Sequence, residues 1–417
     1  MLYNIEKKHN LYIDLFSGCG GLSLGLGQAG WQGLFAVEKD QMAFETFSHK
    51  LIEKDCSHFN WPQWLPKKST TIQDLLTNYS KELLQLKGHI DLIAGGPPCQ
   101  GFSLAGRRNS EDPRNKLSDE YLKMVRIIEP KYILLENVRG FNSSFKPESG
   151  KEVKKPYSHI VKEKLENLGY KVFSDFVCSA DYGVPQNRTR FIMIGIHTKY
   201  LNNFLGNPFE ILSDMRLDFL NEKKLPFEKI KVSDAIDDLL VSRNGLKHHS
   251  GTKNKGFKKI DYIIPEEQNR YLKYIRRNDN YKKPNSLRLA RHKPETVEKF
   301  KLIQAICKPG ISLNDEMRLL VGTKKQAITV LNPFEPSKTL TTLPDDLLHY
   351  CEPRILTVRE MARIQSFPDN FDILGKYTTG GARRTQECPR YTQVGNAVPP
   401  LLGEVLGYLL KRIDLLI

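Results

Sequence analysis

The chain has 417 residues, 40% apolar and 27% charged, with a net charge of +15; this is the make-up of a soluble globular protein with a real core, in one large domain or two modest ones. No stretch reaches the ~18 apolar residues of a membrane span, and the polar segment Met1 to Asn10 lacks the apolar core of a signal peptide, so a cytoplasmic protein is expected. The cysteines (Cys19, Cys56, Cys99, Cys178, Cys307, Cys351, Cys388) are dispersed without a C-x-x-C pair, which argues against a zinc site or a disulfide framework and for free thiols.

Leu11 to Phe16 (LYIDLF) reads as a strand running into Ser17-Gly18-Cys19-Gly20-Gly21, after which Leu22, Leu26 and Ala29 recur at helical spacing. A strand, a glycine turn and a helix N-terminus make a cradle for an anion or nucleotide, though such turns also serve purely structural ends. Leu34 to Val37 is a second strand closed by Glu38, at the spacing where an acid can bind two ribose hydroxyls. Phe16 could stack on an adenine ring. No G-K-S/T follows, so a P-loop is excluded.

Ile90 to Ala94 is a third strand, stopped by Gly95-Gly96-Pro97-Pro98. Cys99 therefore sits at the carboxyl end of a sheet strand, where ligands bind in open α/β sheets. The prolines stiffen this loop; its thiol is either inert in a structural turn or a nucleophile beside the nucleotide pocket. Tyr132 to Leu135 is the next strand and ends in Glu136-Asn137-Val138. If it neighbours the previous one, Glu136 and Cys99 share a cleft, and the carboxyl group can serve as proton donor. Asn137 reads as structural, bonding the backbone of the Cys99 loop. Gln186-Asn187-Arg188-Thr189-Arg190 precedes the strand Phe191 to Ile196. Two arginines spaced two apart project to one side of an extended segment, where they could bind phosphate or bracket a bound base and Glu136. Helical segments such as Glu120 to Ile128 and Tyr157 to Leu168 lie between the strands, and this alternation predicts an α/β fold with a mostly parallel sheet.

Beyond Thr198 the pattern weakens, and residues to about Tyr350 are rich in Lys, Asn, Pro and Tyr, as in a second, smaller domain. Val241 to Lys293 holds fifteen Lys/Arg against four Asp/Glu, +11 of the total charge, a concentration that suits a polyanion partner better than a merely solvated face. Thr357 to Gln365 reads as a helix capped by Thr357 with Glu360 in a capping box, and Pro400 to Ile417 as an apolar helix. The expected division is a catalytic domain in 1–200, a second domain in 201–355 and a return to the first in 356–417.

DLFSGCGG, GGPPCQGFS, ENV, QNRTR, REMARIQSFPDNF and QVGNAVPP stand in the order and spacing of the cytosine-C5 DNA methyltransferase family. The chain resembles that family from Leu11 to Ile196 and from about Arg354 onward; the middle matches by position and basicity alone. The resemblance implies a Rossmann-like S-adenosylmethionine-dependent sheet, with a target-recognition domain in 201–355 that binds double-stranded DNA. S-adenosylmethionine, leaving as S-adenosylhomocysteine, would be held by Phe16, Gly18, Gly21, Glu38, Asp74, Pro98, Leu117, Asn396 and Ala397, without a metal. The last helix should then pack back beside the first strand. Cys99 would add to carbon 6 of a flipped-out cytosine, with Glu136, Arg188 and Arg190 as the other catalytic groups. Gln100, Ser103, Arg107, Arg108 and Thr339 would contact DNA, and the loop Ser103 to Lys116 would close over the base.

Gly375 to Arg390 (GKYTTGGARRTQECPR) lengthens the link between the last two blocks, as a DNA-facing loop or a plain insertion. An RNA methyltransferase and an inactive DNA-binding regulator are the competing readings. The Gln-Gly-Phe-Ser ending and large middle region speak against the first, and the full set Cys99, Glu136, Arg188 and Arg190 against the second. No accessory domain fits before Leu11 or after Gln393. The chain thus resembles monomeric, nucleoid-associated bacterial modification enzymes that protect DNA from a cognate restriction endonuclease.

Overall fold

The computed structural model describes residues 10–54, 57–98, 116–143, 155–201, 204–250, 256–277, 283–380 and 387–417. The chain divides into two compact units. One comprises Met1–Cys178, Thr189–Arg216 and Leu402–Ile417, the other Ser179–Arg188 and Leu217–Leu401. Among the described residues no helix is long and apolar enough to cross a membrane.

In chain order the elements up to residue 197 are β1 (Leu11–Leu15), α1 (Gly21–Gln28), β2 (Gln32–Val37), α2 (Gln41–Ser48), α3 (Ile72–Asn78), α4 (Ser80–Gln85), β3 (Leu92–Gly95), α5 (Lys116–Ile128), β4 (Tyr132–Asn137), α6 (Tyr157–Asn167), β5 (Tyr170–Cys178), β6 (Gln186–Asn187) and β7 (Thr189–His197). All but β6 belong to the first unit. Its sheet has the order β2-β1-β3-β4-β7-β5. β2, β1, β3 and β4 run parallel, and β7 is antiparallel to both β4 and β5, so the mostly parallel α/β sheet read from the sequence is the fold observed.

The central strands are unbroken apolar runs because both their faces are covered. Leu92, Ile93 and Ala94 of β3 and Ile133, Leu134 and Leu135 of β4 are wholly buried. β5, at the edge, alternates buried Tyr170 and Val172 with exposed Lys171 and Asp175. Asp40 caps α2, its carboxylate accepting from the Ala43 N–H at 2.9 Å; this is the side-chain acceptor a helix N-terminus needs.

The chain returns to the first unit at Leu402 within the helix Pro400–Asp414. This helix packs on α1 and the turn after it, which directly follow β1. A Cβ on Gly403 would lie 3.0 Å from the Leu22 carbonyl oxygen. The Trp31 indole N–H donates to the Gly407 carbonyl at 2.9 Å.

The second unit has short two-stranded ladders and buried charge networks. Thr357 caps the helix Val358–Ile364 with the capping box read from the sequence: Thr357 Oγ1 accepts from the Glu360 N–H at 3.2 Å, and the Glu360 carboxylate accepts from the Thr357 N–H at 2.6 Å. On this helix Arg363 pairs with Asp238 (2.5 Å) and Asp369 (2.7 Å), and Glu360 pairs with Arg354 (2.7 Å), all buried. These bonds explain why 356–401 cluster with the second unit, where the sequence suggested a return to the first at 356.

Candidate active site

In the first unit the chain leaves β1 through Phe16, whose φ of 63° is left-handed and uncommon for a non-glycine residue. The Ser17 N–H donates to the Val37 carbonyl at 3.0 Å, fastening the turn to β2. Gly18 (φ 55°) and Gly20 (φ 94°) continue in the same region. A Cβ on Gly20 would lie 2.8 Å from the Phe47 and Leu51 side chains, whereas one on Gly18 would meet nothing within 4 Å. Gly20 is therefore required by packing, and Gly18 leaves backbone open to a ligand.

Glu38, just past β2, faces that opening. Its Oε2 accepts from the Gly18 N–H at 2.9 Å and its Oε1 from the Asp40 N–H at 2.7 Å. Burial raises its pKa above the ordinary carboxylate value, and the Asp40 and Gly18 N–H groups oppose the rise. Each oxygen keeps a free lone pair, which is what two adjacent hydroxyls require.

Sequence reasoning passed over Asp14 and Ser17. Asp14 is fully buried in β1; its Oδ2 accepts from the Ser23 hydroxyl at 2.6 Å, and its Oδ1 has no partner among the described residues. Burial pushes this carboxyl up to about 7. The Ser17 hydroxyl is likewise buried without a partner among the described residues. An acid within the apolar run LYIDLF was the available signal. Asp74, third residue of α3, closes a cap: its N–H donates to Thr71 Oγ1 at 3.0 Å, and its Oδ2 accepts from the same hydroxyl at 2.7 Å. Pro98 and Leu117 are half-buried.

β3 and β4 are neighbours in parallel register, Gly95 opposite Leu135. A Cβ on Gly96 would stand 3.1 Å from Glu136 Oε2, so the start of the Cys99 loop passes directly over that carboxylate. The Asn137 amide donates to the Pro97 carbonyl at 3.1 Å, the structural role read from the sequence. Glu136 is paired with Arg190, Nε to Oε1 at 3.0 Å, both side chains nearly buried. Burial lowers the Arg190 pKa from its ordinary value, and Glu136 opposes that. Cys99, Gln100, Ser103, Arg107 and Arg108 lie outside the described residues. Cys19, in the glycine turn, is buried, and burial pushes its thiol up to about 12, which keeps it inert at neutral pH.

Arg188 differs from Arg190. The Arg188 N–H donates to the Gln186 carbonyl at 2.8 Å, so the chain is not extended there and the rule that alternate residues share a side fails. In the second unit the buried Arg188 guanidinium donates to the Leu340 and Asn396 carbonyls at 3.2 and 3.4 Å. Around it runs an amide relay that sequence reasoning missed. The Leu340 N–H donates to Gln186 Oε1 (2.7 Å), Gln186 Nε2 to Gln365 Oε1 (2.8 Å), and Gln365 Nε2 to the Val394 carbonyl (2.8 Å). Thr339 Oγ1 donates to the Asn187 carbonyl at 3.1 Å. Asn396 and Ala397 close this part of the second unit.

A profile of C-5 cytosine-specific DNA methylases matches residues 11–412. The chain is 32% identical to the Type II methyltransferase M.DdeI of Desulfomicrobium norvegicum over 405 residues, 95% of this chain and 87% of that protein. It is 30% identical to the Type II methyltransferase M1.HphI of Haemophilus parahaemolyticus, with 95% and 85% covered. A solved structure of an E. coli prophage protein, described as a DNA modification methyltransferase, superposes with a TM-score of 0.63. It is 24% identical and covers 96% of this chain and 98% of its own; this likeness bears on the fold.

Proposed function

The chain belongs to the C-5 cytosine-specific DNA methylase family, and on that premise we propose how its residues divide the work. The reaction is methylation of carbon 5 of cytosine in DNA by a methyltransferase of the restriction-modification type. Such methyltransferases use S-adenosylmethionine, which supplies an activated methyl group when bound. The first unit fits this cofactor. Phe16 offers an aromatic plane, Gly18 an open backbone and Glu38 two acceptors for the ribose hydroxyls, while the unpartnered Asp14 Oδ1 gives a buried acid beneath the turn. Gly21, Asp74, Pro98, Leu117, Asn396 and Ala397 are assigned to the cofactor by family resemblance.

Carbon 5 of cytosine is a poor nucleophile. Addition of the Cys99 thiolate to carbon 6 forms a C–S bond and gives carbon 5 enamine character. Glu136, ion-paired with Arg190 in the free protein, faces N3 of the flipped base; with a proton taken up from solvent it donates to N3 as negative charge gathers there, and Arg190 fixes the carboxyl group. After methylation carbon 5 loses its proton, the C–S bond breaks and the thiolate is released. The observation that carries this reading is the convergence of the Gly96–Pro98 backbone, Asn137, Glu136 and Arg190 at the ends of β3, β4 and β7. Arg188, whose guanidinium is spent on the Leu340 and Asn396 carbonyls, is assigned to supporting those segments rather than to the base.

The second unit is assigned to DNA recognition, with Gln100, Ser103, Arg107, Arg108 and Thr339 as further DNA contacts by resemblance. We assign the protein, acting as a monomer in the bacterial cytoplasm, to protecting DNA from a cognate restriction endonuclease. Duplex DNA carrying 5-fluorocytosine tests the chemistry, because fluorine cannot leave as a proton would. The wild type should form a covalent complex stable to denaturation, and Cys99→Ser should not. A methyl group found on the exocyclic nitrogen, or full activity of Cys99→Ser, would overturn the proposal.

A further inference from the structure

In the second unit Arg288 is buried with no side-chain hydrogen bond among the described residues. Arg288 is 7% exposed, and its Cζ lies 4.1 Å from the Phe257 ring centroid and 4.0 Å from that of Tyr377. Its Nε is buried without a hydrogen-bond partner among the described residues, and no ion pair among them includes it. Beside it the His249 ring meets Tyr377 edge-on at 6.1 Å, and both His249 ring nitrogens are buried and unpartnered in the same sense.

The neighbouring arginine shows the contrast. Arg390 also stands over Tyr377, at 4.2 Å, but donates to the Gly375 carbonyl (2.8 Å), Ser286 Oγ (3.0 Å) and the Tyr377 hydroxyl (3.1 Å). Arg390 is therefore satisfied by the fold and Arg288 is not. A buried polar group left unmade costs about 1–3 kcal/mol, more when it is charged, and three such atoms gather around one tyrosine. Arg288, Lys259 and Arg390 surround His249 with positive charge. Such a cluster calls for an anion. The aromatic rings hold the guanidinium plane in place, the arrangement suited to two parallel bonds to one phosphate.

Resting on the reading that this protein acts on duplex DNA, we propose that Arg288, flanked by His249, is a preformed contact to a single phosphodiester of the bound duplex. The contact positions the duplex and reads no base. The phosphate oxygens accept from the Arg288 guanidinium and from one imidazole N–H of His249, so donors left open by the fold are closed by the substrate.

The test uses the full chain and duplexes containing the methylated site, first located by bisulfite sequencing. Arg288→Ala should weaken binding by about tenfold, equally on cognate and unrelated duplexes, and should flatten the salt dependence by about one phosphate contact. In a scan with single neutral methylphosphonates, one position should weaken the wild type and leave Arg288→Ala unaffected. His249→Ala should blunt the effect at that same position. Should Arg288→Ala prove unstable, Arg288→Gln and the wild-type scan carry the test. Unchanged affinity and salt slope in the variant, or a loss confined to duplexes altered at one base pair, overturns the contact while wild-type methylation of DNA stands. A wild type that methylates no DNA overturns the parent reading as well.

Discussion

The Glu136–Arg190 pair offers the sharpest test of the site. At 3.0 Å the two charges attract by about 5 kcal/mol at an effective dielectric constant of about 20. Desolvation takes back part of that, so a net coupling of about 2–4 kcal/mol is expected from a pair this little exposed. Glu136→Gln keeps the shape and leaves a buried cation facing an amide; Arg190→Met leaves a buried carboxylate alone. Each should lower unfolding stability by about 2–4 kcal/mol, and the double variant should lose less than the sum, since neither partner then stays unpaired. The assay is a double-mutant cycle of urea melts, run beside single-turnover methyl transfer. If Glu136 donates to the base, Glu136→Gln should cut the rate by about 10²–10⁴-fold while DNA affinity changes little. A coupling below about 0.5 kcal/mol would refute the energetic argument. A Glu136→Gln rate within about threefold of wild type would refute the assignment of proton donation.

Two further outcomes follow from the turn and its neighbours. The Asp14 carboxyl titrates at about 7 in the native state instead of 3.8, so between those values the folded protein keeps a proton that the unfolded chain has lost. Stability should therefore fall as pH rises from about 4 to about 7, by about 4 kcal/mol from this group. In Asp14→Asn that component should vanish; urea midpoints at pH 5 and 8 measure it, and an identical pH slope in wild type and variant contradicts it. A Cβ on Gly95 would stand 2.4 Å from the Leu15 carbonyl oxygen, backbone of the adjoining strand. Gly95→Ala should thus cost about 2–4 kcal/mol and weaken cofactor binding with it, which calorimetry of S-adenosylhomocysteine binding would detect.

Much of the first unit could be read directly because its signals are local. An apolar run ending in Ser17-Gly18-Cys19-Gly20-Gly21 makes a strand, turn and helix, and Glu38 falls where β2 ends. Neighbouring β3 and β4 then bring the Gly96 backbone to Glu136. Thr357 and Glu360 announced their cap because its bonds span three residues. The misses are non-local. The Arg188 N–H bonds the Gln186 carbonyl and bends the chain where an extended segment was assumed. Arg359, Glu360 and Arg363 are wholly buried, yet on a helix wheel they mark a solvent face; their partners Arg354, Asp238 and Asp369 come together only through folding. Part of the basic segment is likewise tied up: Arg276 bonds Asp369, and Lys247 and Lys283 pair with Asp261. The surplus charge was legible, but not which of its members remain available.

The helix Pro400–Asp414 lies against α1 at Gly403, takes the Trp31 indole bond at Gly407 and ends with Asp414 accepting from the Tyr132 hydroxyl at 2.9 Å. The segment that follows β1 thus waits for one almost four hundred residues further along the chain. While the chain is still emerging from the ribosome, Leu22, Leu26 and Trp31 lack their cover, and the glycine turn lacks the support behind it. The packing behind the glycine turn is therefore complete only once this helix is in place.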